Sequence, residues 1–475
     1  MAFTKTDLFR TLTRALSAPR HSLALGLMLG LGASFVNSAS AATAPFDDEE
    51  KAEEEDEEDK DEWFAVRGAD VHTGTGSVLR GATVLAKNGV IEEIGYDVEL
   101  PEETEIVEAA GFRVYPGLVA IGSSGLFGGS SDISNSVDPF GRNMILALSG
   151  GITTALQGNE AGKLKRGEIE GVLVNPNVFS SFTWSTRSPK TKRDLRKSFE
   201  DARAWIGEHA EWQRAVKKDK ELKEPKKPSS ASSAIAVLRG ESTARFMSSS
   251  RTDLLGIARF AQEFGFRPVI EGCAEGWTVA SELGRAGAMA VVTPRYRRAK
   301  DETLVTDGGS SIENAAKLHE AGVPVAIIPQ ARGVDLGGIV GRDIMHLTIE
   351  AGFAVRGGLS EADALAGITI IPARMMGLGH RIGSIEVGKD CDLIVTDGDL
   401  LHYETFVQWA VVDGKVAYDK QEELYFAHIR PRPDTTLAPE EKVDPGEAGA
   451  IDPDEEPSEE GEGEEPDHDD EDDDD

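Results

Sequence analysis

The chain has 475 residues and a formal charge of −34, long enough for one large domain with a smaller one beside it. That acidity argues against a nucleic-acid partner, whose phosphates would be repelled. Two cysteines, Cys273 and Cys391, are too few for a disulfide framework, and both read as buried small residues.

Residues 1–41 have the make-up of a signal peptide. Lys5, Arg10, Arg14 and Arg20 form a basic start, LALGLMLGLGASFV an apolar run, and Ala39-Ser40-Ala41 a small-residue cleavage site. The run is shorter than the roughly 20 residues a membrane span needs. The expectation is an exported protein, periplasmic or secreted, with no membrane association after cleavage. Residues 42–62 and 431–475 are acidic segments. Asp47–Glu62 holds thirteen acids and two lysines, and Glu440–Asp475 holds twenty-one acids and one lysine, so the two runs carry 31 of the 34 net charges. Both lack the apolar residues that would offset chain entropy and are expected to be disordered, leaving a mildly acidic body.

From residue 63 to 113 short β-rich runs alternate with turn signals. FAVRGADVHTGTG, GATVLAKNGVIEEIGY and EIVEAAGFRVYPG each read as strand–turn–strand, with Asn88-Gly89 as a hairpin turn. From 114 to 377 helical stretches ending in glycine alternate with apolar strands: LLGIARFAQEFG then PVIEG, VASELGRAG then MAVVTP, AAKLHEAG then VPVAIIP. This βα repeat predicts an α/β fold of the TIM-barrel kind. Residues 187–233 interrupt the rhythm with a charged helical excursion and a flexible loop, either a lid or partner surface or, more in keeping with charge runs, a solvated helix pair. Residues 378–430 return to short strands with Asp-Gly turns, which are expected to rejoin the first β unit.

Three segments carry a family resemblance. YPGLVAIGSSG resembles the first-strand segment of the amidohydrolase superfamily, normally Pro-Gly-Leu-Ile-Asp followed by His-x-His. SGGITTALQG resembles its Gly-Val-Thr-Thr segment, and GSIEVGKDCDLIVTDGDLL its C-terminal Gly-Ser-Ile-Glu-x-Gly-Lys-Asp-Ala-Asp stretch. The nearest branch is the exported, imidazolonepropionase-like one, and the likeness runs from Trp63 to about Asp419. It implies a distorted (β/α)8 barrel with a composite β-sandwich built from both chain ends. It also implies zinc or another divalent metal at the barrel mouth, and metal-assisted hydrolysis of non-peptide carbon–nitrogen bonds, in cyclic amides or acyl-dipeptides.

Position by position, the resemblance places the family's aspartate at Ala120 and its first two histidines at Gly122 and Ser124. A histidine pair falls at Met247 and Ser249, a further histidine one strand later at Gly272, and the catalytic aspartate near Gln330. Glycine offers no ligand, serine a weak neutral oxygen, and glutamine no base near neutrality. No metal cofactor is therefore expected. Whether the chain is an enzyme stays open: a metal-free homologue acting as a partner subunit or small-molecule binder, or an active hydrolase with an atypical site. Its partner would be a metal-complete relative or a second copy of itself.

Few residues remain as replacements. Glu271, Gln330 and Ser249 are weak catalytic candidates, and Glu271 reads more simply as a carboxylate satisfied by backbone donors. Ser123, Ser124 and Cys273 would lie near the mouth but lack an obvious base. His346, with Asp343 and Glu350 at helical spacing, reads as a polar cluster on one helix rather than a metal pair. His319 reads as a surface residue. The loop GSSGLFGGSS lacks the lysine of a phosphate loop and reads as a flexible rim.

Overall fold

The computed structural model describes residues 61–423, apart from 130, 304 and 338–340. The leader, most of the acidic linker and the acidic tail lie outside the described residues.

The first strands are β1 (Trp63–His72), β2 (Val78–Lys87) and β3 (Val90–Gly95), antiparallel in that order. Asn88 and Gly89 turn the chain between β2 and β3 with φ of 50° and 78°, the left-handed pair a tight hairpin needs. The segment FAVRGADVH is one strand rather than two. Gly68, at φ 78°, puts a bulge in β1 instead of ending it. That bulge divides the far edge of β1 between β4 (Glu105–Glu108) and β5 (Arg113–Pro116). Both run parallel to β1, on either side of the bulge, and do not pair with each other.

Beyond Gly117 come β6 (Leu118–Ser123), α1 (Arg142–Ser149) and β7 (Ile152–Gln157), with β7 parallel to β6. The βα rhythm then breaks. β8 (Glu160–Lys163) turns back antiparallel to β7, and β9 (Leu173–Asn175) is antiparallel to β8. It resumes with β10 (Phe179–Phe182), α2 (Pro189–Ala215), α3 (Ser232–Leu238), β11 (Thr243–Ser248), α4 (Arg251–Phe264) and β12 (Val269–Gly272). It continues through α5 (Ala280–Arg285), β13 (Met289–Val292), α6 (Asn314–Glu320) and β14 (Val325–Ile327).

Strands β10 to β14 form one all-parallel sheet, and β6 to β9 form a second, mixed one, parallel only between β6 and β7. No ladder joins the two. Single backbone bonds link their edges: Val178 N–H to Asn159 O at 3.0 Å on one side, and on the other Ile327 N–H to Gly367 O at 2.8 Å and Val119 N–H to Ile368 O at 2.9 Å. The segment at Gly367 and Ile368 thus bridges β14 to β6. The architecture is TIM-barrel-like α/β, with two arcs instead of one closed ladder.

Helix α4 shows why the outer layer forms. Ser250 caps it, its Oγ accepting from the Asp253 amide, and Gly265 ends it at φ 78°. Between them Leu254, Ile257, Ala258, Ala261 and Phe264 fall on one buried stripe. Helix α2 packs on that helix. Its Leu195, Phe199, Ala202, Trp205 and His209 are buried, and the Phe199 ring lies 5.0 Å from Phe260. The charged insertion is therefore a wall helix, not an excursion or a lid. The segment after it is pinned back: Trp205 Nε1 donates to Pro225 O at 3.1 Å, and Trp212 Nε1 to Leu222 O at 3.0 Å. Among the described residues no helix is long and apolar enough to cross a membrane.

After α7 (Leu347–Arg356), α8 (Glu361–Ala366) and α9 (Ile370–Met375), the chain returns to the first sheet through β15 (Leu393–Thr396), β16 (Val407–Val412) and β17 (Lys415–Asp419). Its strand order is β17-β16-β15-β5-β1-β2-β3, with β4 on the side of β1. Strands from both ends of the described chain thus share eight-stranded pairing.

One buried cluster ties this sheet to the barrel arc. Lys163, at the end of β8, is 1% exposed. Its Nζ meets Asp390 at 2.6 Å and Asp392 at 3.0 Å, and also contacts Asp413. Lys165 reaches Asp413 at 2.7 Å, and Arg381 reaches Asp390 at 2.8 Å. Three carboxylates face three cations, so the cluster is neutral. Removing one partner from such a group leaves uncompensated buried charge. Lys163→Met is expected to destabilise the chain by about 3–5 kcal/mol, read from the urea midpoint of unfolding. A loss within experimental error would show that the cluster contributes nothing to stability.

Candidate functional site

The parallel strands end at a common mouth, and the positions singled out from the sequence stand there. Gly122, Ser123 and Ser124 close β6. Met247, Ser248 and Ser249 close β11. Glu271 and Gly272 close β12, and Gln330 follows β14, exposed to solvent. Gly272 is at φ 94°, where a side chain would be strained, and a Cβ built there would fall 2.8 Å from Ser249 Oγ. Ser249 and Gly272 are therefore neighbours. Ser124 N–H donates to Arg332 O at 3.0 Å, which holds the end of β6 against the segment after β14. Ser123 Oγ donates to Leu156 O at 3.0 Å and is not poised as a nucleophile.

Glu271 is not satisfied by backbone donors. Arg245 Nη2 reaches its Oε2 at 2.9 Å, and Arg332 Nη2 reaches its Oε1 at 3.0 Å. A half-buried carboxylate near the end of a strand needs a partner that can reach it, and strand backbone amides are committed to their ladders. Two guanidinia from neighbouring segments fill that need. Met247 pairs in register with Glu271 across β11 and β12, so the two side chains share a face; Met247 is 70% exposed. Arg245 lies two residues before Met247 on that same face.

The group carries two positive charges and one negative. Burial, opposed by Glu271 and reinforced by Arg245, holds the Arg332 guanidinium below the usual arginine range; it stays charged at any ordinary pH. Its Nη1 is buried and has no hydrogen-bond partner among the described residues. A Cβ built at Gly122 would lie 3.3 Å from that Nη1 and 3.5 Å from Ile328 Cδ1. The bare backbone of Gly122 thus faces the unpaired end of the guanidinium.

The remaining candidates divide between surface and scaffold. Cys273 is fully buried, and burial pushes its thiol up to about 12, so no thiolate is available at neutral pH. Both cysteines are free. His346 contacts Asp343 through Nδ1, but Glu350 does not join them. Instead it is buried against Arg295, accepting from its backbone N–H at 2.7 Å and its Nε at 2.6 Å. The expected single helix face is broken there, because Ile344–His346 is a 3-10 turn and α7 starts at Leu347. His319 meets Asp363 at 3.3 Å on the surface. The Gly-rich rim loop is held by Gln157, whose Oε1 accepts from Leu126 N–H at 3.1 Å and whose Nε2 donates to Gly129 O at 2.7 Å.

Arg245 and Arg332 were not singled out from the sequence. Both stand in segments that the family motifs mark, ARFMSSS and VPVAIIPQARG. The alternation Ala244-Arg245-Phe246-Met247 puts Arg245 on the face opposite the packed Phe246, and that was the available signal.

A divalent cation does not fit this group. Its one carboxylate is shared by two guanidinia, and the flanking positions are Gly122, Ser124, Met247, Ser249, Gly272 and Gln330. Among the described residues, the one group of three or more His, Cys, Asp or Glu side chains spaced for an ion is Asp390, Asp392 and Asp413. Lys163 Nζ sits among those three.

Residues 275–421 match the model of the amidohydrolase family. Amidohydrolase tasK of Hapsidospora irregularis is 34% identical over 95 residues, 20% of this chain and 10% of that protein. Imidazolonepropionase of Geobacillus sp. (strain WCH70) is 37% identical over 84 residues, 18% of this chain and 19% of that protein. The matched segments therefore span no more than about a fifth of either relative's own length. The solved structure of an amidohydrolase from Thermotoga maritima MSB8 superposes with a TM-score of 0.59 at 25% identity, covering 75% of this chain and 100% of that one.

Two outcomes follow from the electrostatics. Glu271→Gln leaves two guanidinia facing each other and is expected to cost about 3 kcal/mol in thermal or urea unfolding. Adding Arg332→Met to it should recover part of that loss; a double variant no better than the single one would refute the charge argument. Glu275, buried beside the end of β12, supplies a pH signature. Burial pushes its carboxyl up, but the amides of Arg251 and Gly309 and the Arg298 guanidinium outweigh burial and hold it below its ordinary value of 4.5. Its stabilising effect is complete above pH 4.5 and is lost as pH falls through the lowered folded value. Melting temperatures below pH 4.5 should fall less steeply in Glu275→Gln than in the native chain.

Proposed function

The chain belongs to the amidohydrolase superfamily, and from that premise we propose that it is a metal-free member whose mouth binds a small molecule instead of hydrolysing one. The observation that carries this reading is Glu271 held between Arg245 and Arg332, where the family resemblance calls for metal chemistry. A metal lowers the pKa of its bound water from about 15.7 to about 7 and so makes hydroxide available. A guanidinium gives positive charge and donors but accepts no proton and generates no hydroxide. The reading includes a distorted (β/α)8 barrel with a composite β-sandwich at its side, which the strand order and the bridging bonds at Gly367 and Ile368 support. It also includes export to the periplasm or beyond, supported by the basic start, apolar run and small-residue site of residues 1–41. Work beside a metal-complete relative or a second copy is the corresponding partner proposal.

A second reading is an active hydrolase of carbon–nitrogen bonds with an atypical site. The printed names of the similar proteins, amidohydrolase and imidazolonepropionase, favour it. It needs a water-activating group, and Glu271 is occupied.

Elemental analysis of the purified full chain, with assays on acyl-dipeptides, lactams and imidazolone-type cyclic amides, separates the two. No stoichiometric zinc, manganese or iron and no turnover are expected. One equivalent of metal with chelator-sensitive turnover would sink the metal-free reading, and turnover that survives chelators would favour the second. The pair Gly122→His and Ser124→His alone is expected to recruit no zinc, because Arg332 borders Gly122. Adding Arg332→Ala should allow it.

A further inference from the structure

We propose that an off-axis cavity beside the mouth binds the phosphate monoester of a small, hydroxyl-bearing molecule, with Arg298 as its fixed anchor. The proposal deepens the reading of the mouth as a binding site, on which it rests, by giving the ligand a place and a chemical class.

The cavity has a volume of about 660 Å³, within the roughly 300–1,000 Å³ of small-molecule pockets. Three walls enclose it: residues 185–187 after β10, the start of α4, and residues 298–301 and 306–308 after β13. Met247 and Ser249 also line it, which joins it to the mouth. Two carboxylates brace the walls and are committed to them through both oxygens. Asp253, in the first turn of α4, accepts from the Thr186 amide at 2.7 Å and from Ser250 Oγ at 3.0 Å. The buried Glu275 accepts from the amides of Arg251 at 2.8 Å and Gly309 at 2.9 Å, and from Arg298 Nε at 3.2 Å.

The cations are left differently. Glu275 orients Arg298 through Nε alone. The Arg298 side chain is 39% exposed, and neither of its Nη atoms is committed among the described residues. Arg187, Arg251 and Lys300 come one from each wall, and their side chains enter no ion pair or hydrogen bond among the described residues. The charges of Arg187 and Arg298 both act on Asp301, so the first and third walls face each other across the opening.

This arrangement narrows the ligand. A lone surface cation is satisfied by water, but four around one hollow, beside carboxylates turned into the walls, form a surplus of donors. A phosphate monoester carries three acceptor oxygens and about −1.5 to −2 charges, so it can meet donors on several sides. A carboxylate presents only two oxygens, in one plane. Ser249, Thr252 and Thr306 also line the cavity. Their hydroxyls both donate and accept, which suits hydroxyl groups on the rest of the ligand. The lining is formally balanced, because Asp301 and Asp307 join Asp253 and Glu275 against the four cations. A single phosphate is tolerated in such a lining, whereas a polyphosphate would meet those acids.

The test is calorimetric titration of the full chain at low ionic strength with glycerol 3-phosphate, glycerol, glycerate and inorganic phosphate. Glycerol 3-phosphate should bind at least about tenfold more tightly than glycerol or glycerate. It should also bind more tightly than inorganic phosphate, which leaves the hydroxyl-lined part unfilled. Arg298→Met should abolish binding. Arg187→Met and Lys300→Met change exposed side chains, so each should weaken binding about fivefold without lowering the melting temperature. Asp307→Asn removes a carboxylate from the lining and should tighten binding. Glycerol 3-phosphate bound no better than glycerol, glycerate or phosphate would overturn the proposal. So would undiminished binding by Arg187→Met, Lys300→Met and Arg298→Met, or weaker binding by Asp307→Asn. Metal content and turnover on the same sample tell the failures apart. Metal-free, inactive protein that ignores glycerol 3-phosphate sinks this site and leaves the metal-free reading standing, whereas stoichiometric metal with chelator-sensitive turnover sinks both.

Discussion

Taking a full charge out of water costs several kcal/mol unless ionic partners lie at hydrogen-bond distance, and this constraint shapes both ends of the fold. At the junction between the end sheet and the barrel arc, Lys163 is matched by Asp390, Asp392 and Asp413, and the remaining carboxylate charge by Lys165 and Arg381. The formal charges cancel there, although Asp392 Oδ2, 3.0 Å from Lys163 Nζ, is buried without a hydrogen bond among the described residues. At the mouth, Glu271 is matched twice and Arg332 only in part, with Nη1 unpaired. The closed cluster holds two parts of the chain together, and the open one ties the ends of β11 and β12 to the segment after β14.

The closed cluster also accounts for the irregularity in the barrel. A strict βα repeat would carry the chain from β7 through a helix to the next parallel strand. Instead β8 folds straight back on β7 and delivers Lys163 under the end sheet. The alternation around it serves that contact from the other side. In Asp390-Cys391-Asp392 the two carboxylates point at Lys163, while Cys391 turns into the core of the end sheet. The two arcs are then joined at Gly367 and Ile368 by single backbone bonds instead of a ladder.

Much of this was legible along the chain because the signals are local. Gly265 before Val269 and Gly322 before Val325 mark helix ends followed by strands, and Asn88-Gly89 marks a hairpin; each needs only neighbouring residues to be read. The β8–β9 turn-back was not legible. EAGKLKRGEIEGVLVN has no clean alternation, and the burial of Lys163 depends on partners 227 to 250 residues away. The mouth shows the same limit. Gly122, Met247 and Gly272 could be placed at strand ends by motif, but Arg245 and Arg332 look like surface residues until Glu271 stands between them. The α2 segment misled for a related reason. Its many charges hid the stripe Leu195, Phe199, Ala202 and Trp205, which makes it part of the wall.

A guanidinium and a divalent metal can occupy equivalent electrostatic roles toward an anion, yet they differ in what they do to water. The metal binds water directly and acidifies it; the guanidinium only donates hydrogen bonds and stays protonated. Arg332 can therefore hold Glu271 but cannot turn a bound water into a nucleophile. Glu271 makes up the difference only at a cost, because a proton taken by it removes the one negative charge between two guanidinia. Hydrolysis at this mouth would thus leave two like charges facing each other. The same ion pairs keep a half-buried carboxylate compatible with the fold, so the residues that make the site stable also work against its most available base.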